Sequence, residues 1–134
     1  MTQMIFVNLP VKDLEVSKAF FTKLGYSVNA QFTDENASSI VISDTIFVML
    51  LKESFFQTFT KRTIADTATT VESLTCLSAE SRDAVDELVD TALASGGSPA
   101  QETMDHGFMY GRSFLDPDGH HWEVVWMDPS AIQS

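Results

Sequence analysis

Apolar positions along the chain fall into two similar layouts. Met4 to Leu9 and Val71 to Ser78 read as strands, and each precedes a stretch with helical spacing. In the first helical stretch Val16, Phe20 and Leu24 recur every four residues, while in the second Val85, Leu88, Val89 and Ala92 form the apolar stripe. Asp13 and Ser81 stand where each helix should begin, residue types that accept hydrogen bonds from the free amides of a first turn. Gly25 and Gly96 stand where each should end. β-rich runs follow, broken at Asp44-Thr45 and Asp118-Gly119, which read as tight turns between antiparallel strands. The order is therefore βαβββ, twice, an α+β pattern.

The whole chain, residues 1–134, reads as a single domain with module one at about 3–52, a linker at about 53–70 and module two at about 71–128. At 134 residues and 44% hydrophobic it can bury a core. The linker carries Phe55, Phe56 and Phe59 among many threonines, which predicts a short helical turn laying aromatics on the sheet and then an irregular crossing. Its roles are a packed connection, a lid or part of a dimer contact. Cys76 is the single cysteine, in an apolar strand, so no disulfide can form within the chain. The start runs straight into a strand with no basic, apolar and small-residue succession, so no signal peptide is expected, and a cytoplasmic location is. No apolar run is long enough for a membrane helix.

A net charge of −11 with eight scattered basic residues argues against nucleic acid, because phosphate binding needs clustered Lys and Arg. The acidic charge reads first as a surface kept soluble and, beside that, as an expectation of a neutral or cationic ligand.

The opening VNLPVKDLEVSKAFFTKLGY, the second helix SRDAVDELVDTALASGG and the ending GRSFLDPDGHHWEVVWMDP resemble the vicinal oxygen chelate superfamily, which includes glyoxalase I, extradiol dioxygenases, fosfomycin-modifying enzymes and bleomycin-binding proteins. The nearer likeness is to the glyoxalase-like branch labelled predicted lactoylglutathione lyase, over roughly residues 4–128. The resemblance implies two curved antiparallel sheets, helices outside, that together enclose a cavity. It also implies a homodimer.

In metal-dependent relatives four side chains enter that cavity, one from the first and one from the last strand of each module. The resemblance puts the final ligand at Glu123, five residues after Asp118, and its first-module counterpart at Met49, five after Asp44. The opening-strand positions, seven before each cap, are Phe6 and Leu74. Phe, Met and Leu offer no donor for a divalent ion, and a single carboxylate cannot hold one against water. A shift of one residue brings up Ile5, Val7, Val48, Leu50, Ser73 and Thr75, again without a good ligand. No cofactor is therefore expected. The exception would be a divalent metal on a rearranged set of His106, His121 and Glu123, since His121 shares the strand side of Glu123 and His120 does not.

Glu123 remains the candidate acid or base, because a carboxylate among Phe, Met and Leu neighbours is partly desolvated. Its other roles are a hydrogen-bonding anchor for a ligand and a structural carboxylate. DHGFMYGR, residues 105–112, combines groups suited to recognition, with Phe108, Tyr110 and Arg112 on one face of the strand and Met109, Gly111 and Ser113 on the other. It reads equally as a hairpin closing the end of the sheet. Trp122 and Trp126 fall opposite Glu123 and are expected to pack under the helices.

Two functions follow. The first is a metal-free protein binding a small molecule in an apolar cavity lined by Phe6, Met49, Leu74, His106, Phe108, Tyr110, Arg112 and His121. The alternative is a lactoylglutathione lyase-type enzyme working through Glu123 or a metal at a rearranged site. For the second, an enediolate must be stabilised and glutathione carboxylates need cations, of which Arg112 is the best placed.

Overall fold

Asp13 and Ser81 cap their helices as the sequence suggests. The Asp13 carboxylate accepts from the amides of Glu15 and Val16, and the Ser81 hydroxyl accepts from Ala84. The helices end where Gly25 and Gly96 take positive φ, 103° and 114°. A computed structural model describes residues 2–131 of the protein, in two compact units, 1–66 and 67–134.

The first unit contains β1 (Ile5–Val11), α1 (Leu14–Lys23), β2 (Ser27–Asn29), β3 (Ala37–Val41), β4 (Ile46–Lys52) and a short α2 (Glu53–Phe56). Its strands lie in the order β1-β4-β3-β2. β3 and β4 form an antiparallel pair, whereas β1 joins β4 in parallel. The parallel pair is a refinement of the antiparallel expectation with a simple cause. α1 returns the chain so that β2 runs in the direction of β1, and two hairpins then reverse it twice.

Val48, Leu50 and Ile40 are fully buried on the face towards α1, against Phe20, Phe21 and Leu14. Burying each such side chain stabilises the fold by about 1.5–3 kcal/mol, so this layer dominates the unit. The stripe of α1 differs from expectation by one position. Val16 is exposed, and the buried row is Leu14, Ser17, Phe20, Phe21 and Leu24.

The second unit repeats the plan with β5 (Leu74–Ser78), α3 (Arg82–Ala94), β6 (Ser98–Pro99), β7 (Met104–Asp105), β8 (Met109–Leu115) and β9 (His121–Met127). The strand order is β5-β9-β8-β6, with β7 also pairing β8, and β5 runs parallel to β9. Val85, Val89 and Ala92 of α3 are buried, as are Phe114, Trp122 and Val124 of the sheet face beneath. Among the described residues, no helix is long and apolar enough to cross a membrane.

Candidate functional site

β9 follows a turn whose leading aspartate is structural. One oxygen of the Asp116 carboxylate accepts from the amides of Asp118 and His120 at 2.9 and 3.0 Å, and the other accepts from Trp122 Nε1 at 3.0 Å. Burial pushes the Asp116 carboxyl above its ordinary value. The Thr67 hydroxyl donates to the Asp118 carbonyl, and Gly119, at φ 82°, leaves no room for a Cβ beside Thr67. The DPDG sequence is thus explained by turn anchoring, and it delivers β9 in a defined register.

That register separates two faces. His121, Glu123, Val125 and Met127 point away from α3, and Trp122, Val124 and Trp126 point towards it. Glu123 is the Cα partner of Cys76 on one side and of Ser113 on the other. Together with Gln101, Glu102, Met104, Met109, Gly111, Val125 and Met127, these residues line an open hollow of about 440 Å³ within this unit. The Glu123 side chain is 31% exposed, and its Oε2 lies 3.5 Å from Nε2 of the buried His121. That nitrogen has no hydrogen-bond partner, because 3.5 Å is too long for a good bond. The Ser113 hydroxyl accepts from the Gln101 amide at 2.8 Å and fixes the rim.

The named candidates are not all brought to this face. Tyr110 and Arg112 pair with Trp126 and Val124, so their side chains lie on the helix side. The Tyr110 hydroxyl donates to Asp86 at 2.6 Å, and the Arg112 guanidinium donates to Asp86 at 3.0 Å and Asp90 at 2.9 Å. Arg112 borders the hollow, but its charge is committed to α3. The Tyr110 hydrogen bond, followed by Arg112, holds the Asp86 carboxyl below its ordinary value. His106 and Phe108 are exposed and stack on each other at 6.3 Å around Gly107. Arg82 holds that turn, donating to both oxygens of Asp105 at 2.8 Å and to the Gly107 carbonyl at 2.9 Å, with its guanidinium over Tyr110 and Trp126.

Phe6 and Leu74 are more than half exposed, and Phe6 stacks on Phe47 at 5.1 Å. Met49 is the Cα partner of Asn8. These three positions carry no oxygen or nitrogen donor in their side chains, so the metal implied by the superfamily does not fit the matched positions. His106 stands on the turn rather than beside His121 and Glu123. Among the described residues, no three His, Cys, Asp or Glu side chains are grouped to hold a metal ion.

Cys76 is the residue that sequence reasoning passed over. Two positions beyond Leu74, it shares that residue's face, and strand alternation was signal enough to find it. Its thiol is exposed, and burial of its inner side, then the Glu123 charge, raises its pKa.

Residues 3–43 match the family described as bleomycin resistance protein-like N-terminal. A hypothetical protein from S. aureus is 29% identical and superposes with a TM-score of 0.79 over 94% of each chain. A glyoxalase/bleomycin resistance protein/dioxygenase family enzyme from Burkholderia phytofirmans is 15% identical, with a TM-score of 0.77 over 94% of this chain and 99% of that one. A lactoylglutathione lyase from Agrobacterium tumefaciens is 17% identical, with a TM-score of 0.67 over 98% of each chain. No curated protein matches the sequence. The family match over residues 3–43 and the fold shared over nearly the whole chain make this protein similar to the glyoxalase and bleomycin resistance proteins of the vicinal oxygen chelate superfamily.

Proposed function

We propose that the protein binds a small neutral or cationic molecule on the open face of its second module, with Glu123 as polar anchor and without the standard metal site of the superfamily. The observation that carries this reading is the placement of Glu123 in a hollow whose apolar wall is Met104, Met109, Val125 and Met127 and whose rim carries Gln101, Glu102 and Ser113. An apolar wall with one or two placed polar groups is the usual make-up of a ligand site. Methionine walls adapt to ligands of different shape, and Glu102 and Glu123 disfavour anions. A homodimer and a cytoplasmic setting belong to the same proposal, on the grounds given by the sequence.

A lyase of glyoxalase type is the second reading, favoured by the pairing of His121 and Glu123, which suits proton transfer. Against it, Arg112 is engaged by Asp86 and Asp90 and so does not supply a cation for glutathione carboxylates.

Elemental analysis of untagged protein, with thermal-shift titrations against Zn, Ni, Mn and Fe and against a panel of neutral, cationic and anionic aromatic compounds, separates the readings. The expected result is stabilisation by neutral or cationic compounds, weakened about tenfold in affinity by Glu123→Gln. A saturable metal effect that vanishes in Glu123→Gln would overturn the metal-free reading.

A further inference from the structure

We propose that Cys76 makes this hollow a covalent site: its thiol adds to a small uncharged α,β-unsaturated carbonyl compound while the neighbouring Glu123 carboxylate takes the thiol proton. The proposal rests on the reading of this face as a ligand site and deepens it by naming the ligand's reactive class.

Geometry supplies the reaction partners. Cys76 and Glu123 are Cα partners on adjacent parallel strands, point to the same face and line the same hollow. Neighbouring strands lie about 5 Å apart, so two side chains paired on one face are within reach of a proton transfer. The thiol is solvent-accessible, and its one hydrogen bond is a weak contact to the Leu77 carbonyl at 4.0 Å. An independent feature is the His121 imidazole. It is buried, on the same face, with Nε2 unpartnered and directed at the Glu123 carboxylate at 3.5 Å. Buried polar atoms are nearly always hydrogen-bonded, so one without a partner beside a carboxylate calls for a functional explanation. Here it serves to steady the carboxylate as it gains and releases a proton.

The reaction balances without any other reagent. The S–H bond breaks and its proton passes to Glu123. A C–S bond forms at the β carbon of the ligand, and the C=C π pair moves through the enolate to the α carbon. Glu123 then returns the proton to that carbon. Nothing is oxidised or reduced, and the reverse path releases the ligand.

A thiol with a raised pKa is mostly protonated at neutral pH, so an adjacent base decides whether it reacts at all. The charged group opposite Cys76 is Glu123 on β9, Glu102 lines the same hollow, and His121 stands one pair along the strand, opposite Leu74. Arg112 borders the hollow, with its guanidinium held by Asp86 and Asp90. Leu74 and Ser78, on the Cys76 strand and face, are uncharged. The walls of Met104, Met109 and Met127 suit an uncharged electrophile over an anionic one.

Acrylamide is the probe, with adduct formation followed by intact mass from about pH 6 to about pH 9 on the full chain and on N-acetylcysteine as free-thiol reference. Near neutral pH the wild-type protein should react about tenfold faster than Glu123→Gln, and its rate should climb less than about tenfold per pH unit. A carboxylate that only repels the thiolate gives the opposite order. An equal or faster rate in Glu123→Gln therefore overturns the proposal. So does a wild-type rate that tracks hydroxide across the range, a result that needs no variant to fold. Thermal-shift binding of an unreactive aromatic ligand to Cys76→Ser distinguishes the two levels. Retained binding with unassisted alkylation in the wild type sinks the covalent step alone, whereas no binding together with unassisted alkylation sinks the ligand site as well.

Discussion

On the face of the first sheet turned away from α1, Phe6 stacks on Phe47 and Met49 stands opposite Asn8. At the corresponding places in the second sheet, Leu74 stands beside His121 and Glu123 opposite Cys76. The correspondence follows from position, since Asn8 and Cys76 each lie five residues before a helix cap, and Met49 and Glu123 each lie five after a turn aspartate. At the matched positions, one plan therefore carries Phe6, Phe47, Met49 and an amide in one half and a thiol, imidazole and carboxylate beside Leu74 in the other. Among these matched positions Asn8 alone is polar in the first half, and its amide donates back to the Phe6 carbonyl at 3.2 Å. The fold supplies a platform, and the side chains placed on it at a few positions decide whether it has chemistry.

The turns before the two last strands differ in the same direction. In the second module Asp116 holds three donors, while in the first the amides of Ile42 and Ser43 share the Ile46 carbonyl and no buried carboxylate takes part. Asp116→Ala should therefore have the largest effect, a loss of about 2–4 kcal/mol in denaturant unfolding, because it strands Trp122 Nε1 and two amides. Ser43→Ala should cost under about 1 kcal/mol, since its hydroxyl accepts only from the exposed Thr45 amide. Equal losses would show that the two turns are anchored alike.

Ligand binding should divide the modules next. Glu123→Gln is expected to weaken a bound neutral or cationic compound about tenfold, and Met49→Gln to change it less than about twofold, measured by calorimetric titration. A large Met49 effect would move the site to the first module.

Helix attachment gives a smaller contrast. Asp86 in α3 accepts from Tyr110 and Arg112, and Tyr110→Phe should cost at most about 1 kcal/mol after solvent screening of a partly exposed group. The Asp86 carboxyl is lowered in the folded state, so its contribution is complete above the ordinary 3.8 and disappears as pH falls through the lower folded value. The gap in Tm between wild type and Tyr110→Phe should therefore close in acid below 3.8. A gap that persisted there would mean that packing, not the ionised Asp86, is what Tyr110 supplies. Smallest of all, Phe6→Ala should cost about 0.5–1.5 kcal/mol, because Phe6 is more than half exposed in its stack on Phe47.

Much of this was legible in residue order. The caps Asp13 and Ser81, the closing glycines and the doubled βαβββ order are local signals, and the structure contains them. Val16 misled because a four-residue row was followed where the buried stripe runs through Ser17, whose small side chain lies under the sheet without being apolar. Alternation correctly separated Tyr110 and Arg112 from Met109, Gly111 and Ser113, but it does not say which set faces a helix. That was decided by Asp86 and Asp90, whose acidic pair on α3 draws the phenol and guanidinium towards it. Cys76 was hidden by its type, since a cysteine in an apolar run reads as core, and only its pairing with Glu123 gives it chemistry.

The sharpest test of a ligand site on the second module is an amide-resolved NMR titration of the labelled protein with a neutral or cationic aromatic compound that stabilises it. Shifts concentrated at Cys76, Glu102, Met109, Ser113 and Glu123, and needing about tenfold more compound in Glu123→Gln, are the predicted result. Shifts concentrated at Phe6, Asn8, Phe47 and Met49, or unchanged by Glu123→Gln, would contradict it.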